Sequence, residues 1–435
     1  MIEPVKHVGE SWRLDTDSLR EIQLVRLNQV LAAAIEHPFY RERLSGLRFP
    51  LQDLESLHQI PFLTKEQMIN EAPGLPAKIF GGKKGDYRYF HQTSGTSGRP
   101  MPVLDTAADW EWWMRCWAHV LHAATVDSTD IAMMAFSFGP FIGFWTASDA
   151  LRAAGALMIP GGGLSSEARI QMIVDHGCTI VCCTPTYALH LLEAAAKVGI
   201  DLAATDVSRL IVAGEPGGSL PSVRQRIESG WGARVVDHSG GSEIGAWGFG
   251  SRDGQGLHVI ETEFIAECLV FDDGETDPFP AGRPAENGER SELVLTGLGR
   301  FGGPAIRYRT GDMVRPLYDD PKIECRFLYL DGGVLGRADD MIVIRGVNVF
   351  PSSIEAIVRE IDPVAEFRMI VKREGEMDSV TVEAELSVEA CEHLAGLLQS
   401  RLAMRIPVRC VEAESLPRFS AKARRLVRES SPPIR

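Results

Sequence analysis

Between residues 131 and 245 short apolar runs alternate with amphipathic stretches, and that alternation leaves the chain few architectures to choose from. Strand-like runs at 131–136, 156–159, 178–183, 210–213 and 233–236 are separated by helical patterns near 141–154, 166–176, 186–198 and 221–229. Gly155 and Gly177 stand where helix C-caps belong. This order predicts a parallel sheet with right-handed crossovers. Such sheets bind ligands beyond the carboxyl ends of their strands. Three polar clusters fall at those ends: Thr184-Pro185-Thr186-Tyr187, Gly214-Glu215-Pro216-Gly217-Gly218 and Asp237-His238-Ser239-Gly240-Gly241-Ser242-Glu243. Each alone is ordinary loop chemistry, whereas three in succession predict a shared cleft.

The flanking segments are of different kinds. Residues 17–45 have helical spacing, Thr64 reads as the cap of a short helix, and Thr106 with Asp109 starts a helix whose Trp110, Trp113 and Trp117 form a core stripe. Residues 256–335 are rich in β-formers and glycine and read as a β-subdomain. Beyond Gly336-Arg337 the pattern predicts a smaller α+β domain, with a helix behind Pro351 capped by Ser352. The expected division is a large N-terminal α/β domain over 1–336 and a small α+β domain over 337–435.

Ahead of the alternating region, Thr93-Ser94-Gly95-Thr96-Ser97-Gly98-Arg99-Pro100 joins two strand-like runs. Its hydroxyls, glycines and guanidinium suit a polyphosphate held at a mobile hairpin tip. It is not a Walker loop, lacking the G-x-x-x-x-G-K-[ST] pattern and a following helix. In isolation the octapeptide reads as a surface turn; its neighbours reverse that.

A net charge of −14 over 435 residues argues against general nucleic-acid binding. Residues 401–435 depart from it, with nine Lys/Arg against three acidic side chains, a balance suited to an anionic ligand. The eight cysteines have no paired C-x-x-C spacing and the N-terminus has no signal-peptide character, which predicts reduced thiols and a cytoplasmic protein. Residues 131–148 carry no charge, but Gly139-Pro140 interrupts them and Asp149 and Arg152 follow, so no membrane span is expected.

These stretches together resemble the adenylate-forming superfamily of acyl-CoA synthetases, carrier-protein adenylation domains and luciferases. Five motifs stand in the family's order: Thr93 to Pro100, Gly214 to Pro216, Ser239 to Glu243, Tyr308 to Asp312, and Gly336 to Asp340 with Arg345-Gly346. Cys183-Thr184-Pro185-Thr186-Tyr187, Ile306 to Asp312, and Leu416-Pro417-Arg418 leading to Lys422 point to the phenylacetate-CoA ligase branch.

The resemblance implies an ATP-dependent aryl-acid CoA ligase, in which a carboxylate attacks the α-phosphate of ATP, pyrophosphate leaves, and the acyl-AMP passes its acyl group to CoA. Thr93, Ser94, Gly95, Thr96, Ser97, Gly98 and Arg99 would hold the terminal phosphates, Ser242 the α-phosphate, Glu243 Mg²⁺, and Asp312 the ribose hydroxyls. Gly214, Glu215 and Pro216 would wall the adenine, with Asp237, His238, Ser239 and Gly240 beside it and Arg337 on ribose or phosphate. Lys422 would bridge carboxylate and α-phosphate. Rotation of the small domain about Asp339 would then bring Arg345 and Gly346 to line the CoA channel. Phe136, Phe138 and Phe141 with Ala213 and Gly214 would form the acyl pocket.

The sequence departs from the family pattern in two places. Ser239 replaces the usual tyrosine, and Arg99 stands where lysine is commoner. Some relatives carry a structural zinc, but His258 and Cys325 alone are too few to close one, so none is expected. Two alternatives stay open: an enzyme that loads a carrier protein's phosphopantetheine, and a non-catalytic nucleotide-binding regulator. A homodimer is also left open.

Overall fold

The structure is a computed structural model that describes residues 5–72, 74–93, 100–136, 139, 142–271, 282–318, 325–338, 342–344, 347–349, 351–362, 364–374, 377–402, 405–418 and 425–429. Five parallel strands lie in the order Leu157–Pro160, Ile131–Met134, Ile180–Cys183, Arg209–Val212 and Arg234–Gly241. The connections carry the helices Trp145–Ala153, Ser166–Asp175, Pro185–Lys197 and Pro221–Trp231. Ile180–Cys183 is buried throughout, as a strand covered on both faces must be. Gly155 and Gly177 take positive φ values of 95° and 59°, a left-handed conformation that ends a helix without a Cβ clash.

Past Arg234–Gly241 the same sheet turns antiparallel, adding Gly245–Gly250, Gly256–Val259, Tyr329–Asp331 and Pro316–Leu317 to make nine strands. A second sheet of five antiparallel strands comprises Arg283–Pro284, Phe264–Val270, Ser291–Gly297, Tyr308–Val314 and Gly336–Arg337. Residues 256–335, expected as one β-subdomain, are therefore split between two sheets. Composition marks a strand but does not name its partner. Here the partner is admitted by a glycine: a Cβ on Gly256 would stand 2.3 Å from the Leu330 carbonyl oxygen.

The helix Ala107–Ala123 starts at a capping box, Thr106 with Asp109, and buries Trp110, Trp113 and Trp117. One hydrophobic core joins this helix, the N-terminal helix Thr16–Ala34 and both sheets, and a second lies around the crossover helices. Residues 342–426 supply a third core around a four-stranded sheet ordered Val408–Cys410, Met377–Ala384, Phe367–Glu374, Leu426–Glu429, flanked by the helices Pro351–Ile361 and Val388–Leu402. The first of those helices begins at Pro351, so Ser352 lies inside it. All eight cysteines are free, seven of them buried. Among the described residues no helix is long and apolar enough to cross a membrane.

Candidate active site

The three polar clusters at the strand ends are tied to one another. Thr184 caps the helix Pro185–Lys197, and the backbone N–H of Thr186 in its first turn donates to Glu215 Oε1 at 2.8 Å. This joins the first cluster to the second. Ser219 Oγ donates to Asp237 Oδ2 at 2.6 Å, and a Cβ on Gly218 would stand 2.5 Å from the Asp237 carboxyl, so the second cluster rests on the third. Burial pushes the Asp237 carboxyl up to about 6, against the pull of Ser219 and the His238 N–H.

Asp237 and His238, expected side by side at the adenine, face opposite ways because neighbours on a strand alternate. Asp237 faces the Gly214–Ser219 loop. His238 turns to the other face of the sheet, where its ring lies 4.3 Å from Trp117 and its Nδ1 donates to the Gly248 carbonyl at 2.7 Å. Burial lowers its imidazole to about 4. Ser239 pairs with Gly248 across the hairpin. Gly240 lets two backbones meet, since a Cβ there would come 2.9 Å from the Gly245 carbonyl oxygen.

At the tip of this hairpin, Ser242 and Glu243 form a turn held by its backbone, whose two carbonyls accept from Arg300 at 2.9 and 3.1 Å. Lys65 Nζ lies 2.9 Å from Glu243 Oε1. Lys65 is delivered there by a single parallel bridge. Leu63 N–H donates to the Arg307 carbonyl at 2.8 Å, Arg309 N–H donates to the Leu63 carbonyl at 2.9 Å, and the Thr64 cap then starts the helix Lys65–Met68.

Asp312 and Arg337 sit opposite each other on paired strands, and Arg337 donates to Asp312 Oδ1 at 3.0 Å and to the Thr310 carbonyl at 2.7 Å. Gly311, with φ +74°, leaves room for the guanidinium stacked over it. Tyr308 links this pair to the Glu243 turn. Burial pushes its phenol well above the ordinary value, and the charges of Glu243 and Asp312 add to that while Arg337 opposes it.

The base of the 93–100 loop is fixed by Thr93, whose Oγ1 accepts from Met101 N–H at 3.0 Å and whose N–H donates to the Met101 carbonyl at 3.1 Å. Phe136 is partly buried 4.9 Å from Phe144, and Ala213 and Pro216 are also partly buried. Ser94, Gly95, Thr96, Ser97, Gly98, Arg99, Phe138, Phe141, Asp339, Arg345, Gly346 and Lys422 lie outside the described residues.

Sequence reasoning missed Lys65 and Arg300. Lys65 was legible only as the first residue of a capped helix. Arg300 stands in a glycine-rich run that says nothing of its reach.

No group of three or more His, Cys, Asp or Glu side chains that could hold a metal is found among the described residues. The one carboxylate at the Ser242-Glu243 turn fits an ion such as Mg²⁺, which takes most of its ligands from nucleotide phosphates and water.

A family model described as the AMP-binding enzyme C-terminal domain matches residues 346–429. The phenylacetate-coenzyme A ligase of Thermus thermophilus is 31% identical over 388 residues, covering 87% of this chain and 83% of that one. The phenylacetate-coenzyme A ligase of Pseudomonas putida is 32% identical over 388 residues, covering 87% and 84%. Among solved structures, a 2-hydroxyisobutyryl-CoA ligase in its postadenylation state superposes with a TM-score of 0.86 at 26% identity, covering 96% of this chain and 90% of that one. The same ligase in its thioesterification state gives 0.70. Fold and relatives together define an AMP-forming acid–CoA ligase that uses ATP and CoA. Within that class the chain belongs to the adenylate-forming superfamily, in its phenylacetate-CoA ligase branch.

Proposed function

We propose that the acid is aromatic, of the phenylacetate or substituted benzoate type, and that the residues gathered around Tyr308 carry out its adenylation. The observation that carries this reading is that two charged pairs, Lys65 with Glu243 and Asp312 with Arg337, bear on one buried phenol, Tyr308, which feels the charges of Glu243, Asp312 and Arg337. A carboxylate for a phosphate-bound cation and a carboxylate for ribose hydroxyls suit a nucleoside triphosphate. The aromatic preference draws support from the phenylacetate relatives and from the ring cluster Phe136, Phe144 and Trp117.

In this reading Glu243 holds Mg²⁺, which would neutralise phosphate charge when bound, and Ser242 donates to the α-phosphate. Asp312 accepts from the ribose, Arg337 orients it, and the Gly214–Pro216 loop, braced by Thr186 and Glu215, walls the adenine. Lys422 bridges the attacking carboxylate and the α-phosphate. The small domain over 337–435 then turns about Asp339 so that Arg345 and Gly346 line the path of the CoA thiol. The better fit to the postadenylation form of the superposed ligase than to its thioesterification form supports a two-orientation cycle.

The test is pyrophosphate exchange into ATP across a panel of aryl, alkyl and short 2-hydroxy acids, followed by acyl transfer to CoA and to a phosphopantetheinylated carrier protein. Exchange with aryl acids and transfer to free CoA are expected. Exchange confined to short 2-hydroxy acids, or transfer to the carrier alone, would replace this reading. Lys422→Ala is expected to abolish exchange yet spare thioester formation from supplied acyl-adenylate; equal loss of both steps removes Lys422 from the adenylation step.

A further inference from the structure

The ring cluster beside the strand ends contains one polar side chain. His238 follows Asp237, which pairs with Val212 in the last parallel register of the sheet, and itself pairs with Phe249 in the antiparallel hairpin. It therefore stands where parallel pairing gives way to antiparallel, at the carboxyl end of the last parallel strand, and open α/β sheets bind ligands outside those ends. Its ring packs against Trp117 at 4.3 Å, Trp117 against Phe144 at 5.8 Å, and Phe144 against Phe136 at 4.9 Å.

The protonation pattern of that ring is set by its partner. A carbonyl oxygen only accepts, so the 2.7 Å bond from Nδ1 to Gly248 puts a hydrogen on Nδ1. Burial keeps the imidazole neutral at physiological pH, with its titration near 4. Nε2 is then a bare acceptor on a side chain 7% exposed. Among the described residues no donor is bonded to it. Gly240 brings the backbone of the hairpin close to the ring, since a Cβ at 240 would stand 3.4 Å from Nε2. Nε2 is not among the side-chain atoms sealed away without a partner, so it is an acceptor that solvent or a small molecule can still reach, whereas a leucine or phenylalanine in this wall would offer no acceptor at all. A donor on the substrate can take the place of water at this acceptor.

We propose that His238 is the specificity-determining residue of the acyl pocket and selects aromatic acids that carry a hydroxyl or amino group on the ring, which donates to Nε2. This deepens the aryl-acid reading and rests on it. Trp117 and Phe144 fix the imidazole, Gly248 fixes its tautomer, and the acid's ring lies against Phe136. A hydroxyl or amine is preferred because both present a hydrogen to a lone pair, whereas a methyl group of similar size presents none. The site rejects the methyl analogue by leaving Nε2 unpaired.

The experiment compares kcat/KM in pyrophosphate exchange for benzoates and phenylacetates bearing hydrogen, methyl, hydroxyl or amino at each ring position. It uses the parent enzyme, His238→Leu and His238→Gln. The parent is expected to favour the hydroxyl or amino acid at one ring position by about tenfold or more over its methyl counterpart. His238→Leu should bring that ratio to about one, whatever its effect on the absolute rates, and His238→Gln, whose amide oxygen reaches a similar distance, should keep part of it. A purely structural histidine would lower all acids alike in both variants, and that result overturns the proposal. So does a parent enzyme that favours the unsubstituted or methylated ring, which leaves the aryl-acid reading standing. Silence toward every aryl acid in the parent overturns both.

Discussion

Lys65 Nζ lies 2.9 Å from Glu243 Oε1, although one belongs to a four-residue helix and the other to the turn after the Arg234–Gly241 strand. Both are largely buried, so the pair is less screened than a surface bridge. An ammonium held there offsets the carboxylate, and in the proposed site, where Glu243 would hold Mg²⁺, it would be free to pair with phosphate. Lys65→Met leaves a bare negative charge where the phosphates must dock. We expect KM for ATP in pyrophosphate exchange to rise about tenfold, the worth of one charge-assisted hydrogen bond, with partial rescue in Lys65→Arg. An unchanged KM for ATP would remove Lys65 from the phosphate site.

Arg300 reaches the same turn from the other side. Its guanidinium is 2.8 Å from Asp105, Asp105 is 2.7 Å from His91 Nε2, and all three side chains are at most 1% exposed. Burial opposes ionisation of Asp105, but Arg300 and His91 outweigh it and hold the carboxyl below its ordinary value. His91 and Asp105 lie on the strands Tyr87–Gln92 and Pro102–Thr106 that carry the 93–100 loop, so this buried chain braces the loop against the Glu243 turn. Removing one partner strands a buried charge. Arg300→Met should cost about 3–5 kcal/mol in urea unfolding, and Asp105→Asn a comparable amount. A loss below 1 kcal/mol in both would mean the brace is not mechanically important.

The pH dependence of stability follows from five buried groups with opposed signs. Burial lowers His238 and His258 to about 4 and His119 to about 3, so each contributes stability that is full above the unfolded value near 6.5 and lost on acidification. Burial raises Asp237 to about 6 and Glu261 to about 7, so each contributes stability that is full below the unfolded carboxylate range and lost as pH rises. Between about pH 4.5 and 6 these three histidines oppose these two carboxylates, so the five together raise stability with pH by about 1.4 kcal/mol per unit, the slope of one proton. Replacing both carboxylates, as Asp237→Asn with Glu261→Gln, removes two opposing protons and should steepen the measured slope by about 2.7 kcal/mol per unit. Equal slopes in parent and double variant, read from urea midpoints, would refute the assignment.

What the sequence disclosed was what local pattern controls. The alternation over 131–245 became five parallel strands because apolar runs and C-cap glycines act within a few residues. The caps at Thr64 and Thr106 are legible for the same reason. Lys65 and Arg300 were hidden because their partners are fixed by a lone parallel bridge at Leu63 and Tyr308 and by tertiary reach, neither of which leaves a local trace. Asp237 and His238 show a subtler miss. Period-two alternation was available to separate them, but which face meets which loop depends on Trp117 and Ser219, both distant in the chain. The splitting of 256–335 between two sheets is a matter of pairing, which no single strand encodes.

Arg425 anchors the chain just beyond Lys422. Its guanidinium lies 3.2 Å from Glu366 and 3.4 Å from Glu355, it stacks 5.1 Å over Phe367, and its carbonyl accepts from Met369 N–H at 2.7 Å. Burial keeps the Glu355 carboxyl above its ordinary value even beside Arg425 and Arg359, so loss of either cation would raise it further. Only the lysine's own short segment separates this anchor from the proposed catalytic ammonium, and a displacement of about 1 Å at a reacting group is enough to cost a hundredfold in rate. Arg425→Met is therefore expected to slow pyrophosphate exchange about a hundredfold while thioester formation from supplied acyl-adenylate, which does not use Lys422, changes about twofold or less. Arg425→Lys, keeping the charge without the double pairing, should fall between the two. Equal loss of both half-reactions would show that Arg425 merely holds the small sheet together and does not position the lysine.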